Sequence, residues 1–250
     1  MRKRGVMGIS ALVGLLLASC GSSPATNSSR SSTALRRINA AVGRTEAAES
    51  AHLATVSDTS GPSAASAAIH LTSVGDIRFA GPDLTLTTTV QSGNSAASTN
   101  TTAIYIGSHF YLNASSDPHG WVRAPYHQRY PYLGAVQTTA LTTTMGPVTV
   151  VGTGEVDGQP ATKYLVPIPG SMKTIALTNS KNQPYDEHIR IAPFVLSVWL
   201  DRAGRILRTQ ATQEATSSQA SRFVVEKSTT TLSDFGEAVR INAPSTSIGQ

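Results

Sequence analysis

Beyond residue 60, apolar and polar positions alternate with a period of two. Ile69 and Leu71, Leu84 and Leu86, and Val90 are interleaved with Thr and His. That spacing marks half-buried strands. Ile104-Tyr105-Ile106 and Phe110-Tyr111-Leu112 flank Gly107-Ser108, a short hairpin turn. Val148–Val156 leads through Asp157-Gly158 into Thr162–Val166, and Phe194–Leu200 leads through Asp201–Gly204 into Arg205–Gln210. A last strand spans about Ser221–Leu232. Successive hairpins with short turns make an antiparallel sheet, each strand with one apolar and one polar face. Ahead of the strands, Leu35, Ile38, Val42 and Thr45 recur at three- and four-residue steps within residues 34–56. This predicts a helix, with Thr33 as its N-cap and Gly43 as a weak point. Residues 113–147 and 169–192 break the alternation. Within them Val136–Met145 and Ser171–Thr178 read as short helices that cover the sheet. A single-layer sheet must curl to bury its apolar face. The expected fold is therefore α+β: one strongly curved antiparallel sheet with an N-terminal helix and short covering helices, in a single domain over residues 34–250.

The N-terminus reads as an address. Arg2-Lys3-Arg4 precedes an uncharged apolar stretch at residues 5–17. A spanning helix needs about 20 such residues, so residues 1–19 match a signal peptide instead. The stretch ends in Leu17-Ala18-Ser19-Cys20, a branched apolar residue and two small ones before Cys, the pattern of a bacterial lipobox. Cys20 would carry the diacylglycerol and become the first mature residue. It is the only cysteine, so no intramolecular disulfide is possible. Two or more acyl chains give stable anchoring, which implies the extracytoplasmic face of a cell membrane. Residues 20–33, rich in Ser and without apolar periodicity, read as the acylated Cys and a flexible tether.

Charge and chemistry narrow the function. The formal charge is +5, but removal of Arg2, Lys3 and Arg4 leaves 17 basic against 15 acidic residues. So small an excess is no footprint for nucleic acid, where several phosphates need neutralising. Neither a nucleophile-elbow motif nor a phosphate-binding loop occurs. The six histidines are scattered, and His119 and His127 lack a third ligand-like partner, so no metal or other cofactor is expected. Asp186-Glu187-His188 are adjacent and poorly placed to converge. The expectation is a protein without enzymatic activity. The apolar strand face comprises Ile69, Leu71, Leu84, Leu86, Ile104, Ile106, Phe110, Leu112, Val148, Val150, Val198 and Leu200. It reads either as the lining of a hydrophobic cavity or as core filled by the helices. A one-residue register error would invert any strand's contribution. Arg123 and Arg129, among Tyr126, Tyr130 and Tyr132, read either as a head-group site or as a solvated loop.

Four segments carry a family resemblance. Ala40–Ser50 resembles the first helix of the actinobacterial LppX/LprAFG lipoproteins. Gly152–Pro167, Ser197–Arg208 and Leu232–Pro244 resemble, in order, two of their hairpins and their closing segment. The fold of these proteins is similar to that of the periplasmic lipoprotein carrier LolA. The resemblance implies a half-barrel wrapped around a hydrophobic cavity. It also implies binding of a lipid or glycolipid for transfer or assembly in the cell envelope, with a transporter or envelope protein as a further partner. A sensor or protein-interaction module on the same fold, without lipid cargo, is the competing reading.

Overall fold

The structure, a computed structural model, describes residues 25–61, 68–81, 83–92, 98–114, 120–125, 147–178, 184–217, 223–245 and 248–249. The expected signal peptide, Cys20, Arg129, the tyrosines 126, 130 and 132, and the helix expected at Val136–Met145 lie outside the described residues.

Among the described residues one helix, α1 (Ala25–Glu46), precedes fourteen strands. These are β1 (Ser50–Ser60), β2 (Ile69–Arg78), β3 (Asp83–Ser92), β4 (Ser98–Ile106), β5 (His109–Ala114), β6 (Val122–Pro125), β7 (Thr149–Val156), β8 (Gln159–Ile168), β9 (Ser171–Thr178), β10 (Pro184–Ile191), β11 (Phe194–Leu200), β12 (Ile206–Ser217), β13 (Phe223–Ser233) and β14 (Ile248–Gly249). They form one curved sheet in the order β14-β6-β5-β4-β3-β2-β1-β13-β12-β11-β8-β7, and β10 pairs with both β12 and β9. Apart from the short parallel contact of β14 with β6, the pairing is antiparallel. Among the described residues the sheet does not close, since its path ends at β14 and β7.

The expected hairpins at Gly107-Ser108 and Asp157-Gly158 are present. Asp157 (φ 50°) and Gly158 (φ 78°) both take the left-handed conformation that such a tight turn needs. The helix differs from expectation at both ends. It begins at Ala25, so part of the expected tether is helical. It stops at Glu46, and residues 50–56, expected to be helical, open β1. Glu49 at φ 68° breaks the helix, and the Phe79 amide donates to its carbonyl at 2.8 Å, committing the next residues to pairing. Ser171–Thr178 is strand β9 and not a covering helix, because it pairs along its length with β10.

Two larger clusters and one small one make up the interior among the described residues. In one, Ala34, Ile38 and Ala41 of α1 pack with Val148, Tyr164, Val166, Ile168, Leu196, Val198, Leu200, Ile206 and Ala211. In the other, Ala51, Leu53, Ile77, Leu84, Leu86 and Leu232 pack with Phe79, Tyr105 and Phe235, and among the described residues none of α1 takes part. A register shift at Trp199/Leu200 lets the neighbours Ile206 and Leu207 serve different clusters: Ile206 packs with α1 and Leu207 with Val156 and Ala161.

Candidate functional site

The inner face of the β1–β6 half is built in rows, because side chains directly opposite in register share a face. The first row is Ala51, Ile77, Leu84, Tyr105 and Phe110. The next is Leu232, Leu53, Gly75, Leu86, Ala103, Leu112 and Val122. Together they form an apolar floor, with the Tyr105 and Phe110 rings 4.6 Å apart. Gly75 interrupts the second row for a steric reason. A Cβ there would stand 1.9 Å from the Thr85 carbonyl oxygen, so only glycine lets β3 approach this closely.

The third row is polar. Thr209, Thr230, Thr55, Ser73, Thr88 and Thr101 follow one another across six strands. Thr55 bonds Thr230 at 3.1 Å and Ser73 bonds Thr88 at 2.9 Å; Thr55, Ser73 and Thr209 are buried. A hydroxyl–hydroxyl bond uses one donor of two, so each pair retains an O–H for another acceptor. The fourth row mixes Ala211, Ser228, Ser57, Leu71, Val90 and Thr99, and the Ser57 hydroxyl donates to Glu226 at 2.7 Å. The inner face thus grades from an apolar floor through a belt of hydroxyls to a mixed rim.

The expected lining residues fall in three places. Ile69, Leu71, Leu84, Leu86, Phe110 and Leu112 share the inner face of this half. Val148, Val198 and Leu200 are buried against α1, while Val150 on the edge strand is half exposed. Ile104 and Ile106 lie on the opposite face, opposite Tyr111 and His109; their neighbours Ala103 and Tyr105 face inward instead. Alternation within a strand does not say which parity points inward; the pairing with β3 does. Arg123 also sits on the outer face, opposite Tyr111, with its guanidinium against His109. The hydroxyl belt and Tyr105 were missed. The runs Thr85–Thr89 and Thr229–Thr231 were the available signal.

Two further features carry chemistry. On β1 and β2, Asp58 bonds His70 Nδ1 at 2.7 Å, and His70 Nε2 stands 3.2 Å from the Thr72 hydroxyl. That is the bonding order of an acid, a base and a nucleophile. The Asp58 and His70 side chains are 63% and 45% exposed, so water competes for each group and little activation follows. Between β11 and β12 a groove of about 530 Å³ is lined by Pro193, Phe194, Val195, Ser197, Gln210, Ala211, Thr212 and Glu214. It forms where ladder pairing lapses between Ser197↔Gln210 and Ile191↔Ala215. Among the described residues no cluster of three His, Cys, Asp or Glu is placed to hold a metal ion.

An open, curved antiparallel sheet with a helix seated on one half of its inner face is a fold that solved structures share. The structure is similar to that of the Mycobacterium tuberculosis lipoprotein LppX, at a TM-score of 0.50 and 16% identity over 84% of this chain and 99% of that one. The likeness establishes the fold. LprF from Mycobacterium bovis (TM-score 0.46, 12% identity, 85% and 97% covered) and a LolA superfamily protein from Nitrosomonas europaea (0.29, 10%, 79% and 94%) are further structural neighbours. No family model matches the sequence, and no curated protein matches it.

Proposed function

We propose that this chain is a membrane-anchored lipoprotein that holds an acylated amphiphile on the inner face of its sheet, for transfer or assembly in the cell envelope. The observation that carries the reading is the apolar floor on the half of the sheet that α1 does not cover. A sixteen-carbon tail loses on the order of 10 kcal/mol of favourable burial when exposed to water, at about 0.8 per methylene. Within these rows Leu53, Leu84 and Leu86 are buried in the cluster with Phe79, Tyr105 and Phe235, and the half-buried Phe110 and Leu112 on β5 offer such a tail an apolar bed beside it. The hydroxyl belt meets the ester, amide or hydroxyl groups at its polar end. The lipobox at Cys20 supports attachment to the outer surface of the membrane. To test the reading, residues 21–250 are expressed in a bacterium and purified. Native mass spectra are then compared with denaturing spectra. A bound species that denaturation releases and organic extraction identifies as a lipid is expected; protein carrying no such species contradicts the reading.

One observation favours the competing interaction module. Among the described residues strand β7 pairs on one side only, with β8, and Val150 and Val151 are exposed. Crosslinking of a partner strand through β7, with no lipid recovered, would decide for it.

A further inference from the structure

We infer that the domain stands on the bilayer through one particular end, the end remote from the Asp201–Gly204 turn. This deepens the reading above and rests on acylation of Cys20. The direction of α1 carries it. At its C-terminal end the Thr45 hydroxyl accepts the Ile206 amide at 2.9 Å, and Arg44 lies over Gly204. The chain then turns through Ala47–Glu49 into β1. Eight residues earlier, Arg37 donates to the Tyr164 hydroxyl at 3.5 Å. Tyr164 pairs with Val198, one step further along β11 from the Leu200↔Ile206 pair than Trp199. Traced backwards, the helix therefore crosses the sheet obliquely, from β12 beside the Asp201–Gly204 turn towards β7 and the Ile168 end of β8. Its 22 residues span about 33 Å at 1.5 Å each. Cys20 lies five residues before Ala25, at most about 18 Å of chain. An acyl anchor there holds the Ile168–Phe194 end at the membrane. It leaves the turns at residues 107–108, 157–158 and 201–204 pointing away.

That end has its own surface for the task. β9 continues β8 past Pro169-Gly170, and β10 runs into β11 past Ala192-Pro193, with one register through both pairs: Ile168↔Phe194, then Ser171↔Ile191. β12 supports β10 only at Ile189–Ile191, so the β9–β10 hairpin extends past most of its support. At its base Met172 is 70% exposed and pairs in register with the exposed Arg190. Ile69, 37% exposed, begins β2 at the same end, opposite Thr59 near the finish of β1. An exposed thioether beside a guanidinium fits a phospholipid interface, where the apolar group enters the acyl boundary and the cation meets phosphate. The occupant of this surface is the bilayer itself.

The test uses full-length protein, matured in a bacterium and placed in vesicles of phosphatidylcholine and phosphatidylglycerol at seven to three. Met172→Cys and Arg202→Cys each add one free thiol, since Cys20 is consumed by the anchor, and each thiol carries the same fluorophore. Quenching by a doxyl-labelled phospholipid is expected to be at least threefold stronger at position 172 than at 202. Equal quenching, or stronger quenching at 202, overturns the orientation. The mass of the mature chain separately reports the diacylglycerol; a mass without it removes the premise and the proposal with it.

Discussion

Thr45 joins α1 to the sheet, and its replacement by Val has a calculable cost. The residue is 1% exposed; its hydroxyl donates to the Ala41 carbonyl at 2.7 Å and accepts the Ile206 amide at 2.9 Å. Thr45→Val keeps the β-branched shape and its restricted side-chain rotation, so packing and rotamer costs stay nearly unchanged. The Ile206 amide, in a residue 2% exposed, is left without its acceptor. A buried donor without a partner costs about 1–3 kcal/mol. The Ala41 carbonyl loses only a second bond, because it lies within the ladder of α1. The expected loss is about 2 kcal/mol. Thr45→Ser keeps the hydroxyl and removes one methyl, worth about 0.8 kcal/mol. Equilibrium urea unfolding, followed by far-ultraviolet circular dichroism, reads both variants. With a slope of about 2–3 kcal/mol per molar for a domain of this size, the Val midpoint falls by roughly 1 M. A Val variant within about 0.5 kcal/mol of wild type, or a Ser variant weaker than Val, would refute the bridging role.

Gly75→Ala is expected to destabilise by at least about 2 kcal/mol, since the new Cβ meets backbone 1.9 Å away. Gly154→Ala, with nothing within 4 Å, stays within about 0.5 kcal/mol of wild type in the same urea assay. Leu112→Asp places a carboxylate on the apolar floor and is expected to lower bound lipid at least fivefold. Ile104→Asp on the opposite face leaves it unchanged; lipid is counted by extraction per mole of folded protein. Ser73→Ala removes the partner of Thr88 within the hydroxyl belt and is expected to cost about 1 kcal/mol in thermal or urea unfolding. No loss there would mean that the pair is satisfied from elsewhere.

The hairpins were legible because their turns are written locally. Gly107-Ser108, Asp157-Gly158 and Asp201–Gly204 each combine a turn-forming residue with flanking alternation. What remained hidden depends on partners distant in sequence. Ser171–Thr178 contains Met, Lys, Ala and Leu, all good helix formers, yet pairing with β10 decides for strand. The helical pattern of residues 34–56 ran on into β1 because Ala51 and Leu53 suit either state. Glu49 at positive φ, which ends the helix, has no clear sequence signature. Within the candidate site, the apolar positions were visible but their facing was not. Ile104 and Ala103 differ by one step, and only the pairing with β3 fixes which turns inward. The hydroxyl belt exists only across strands. Thr209, Thr230, Thr55, Ser73, Thr88 and Thr101 are scattered along the chain and become neighbours through register alone.

The central claim is that the floor under Leu53, Leu86 and Leu112 carries fatty tails. Solving the crystal structure of freshly purified residues 21–250, without delipidation, tests it most directly. Continuous acyl density lying along those leucines and reaching the Thr55–Ser73 level is the predicted result. A floor occupied by the chain's own side chains, with no such density, would contradict it.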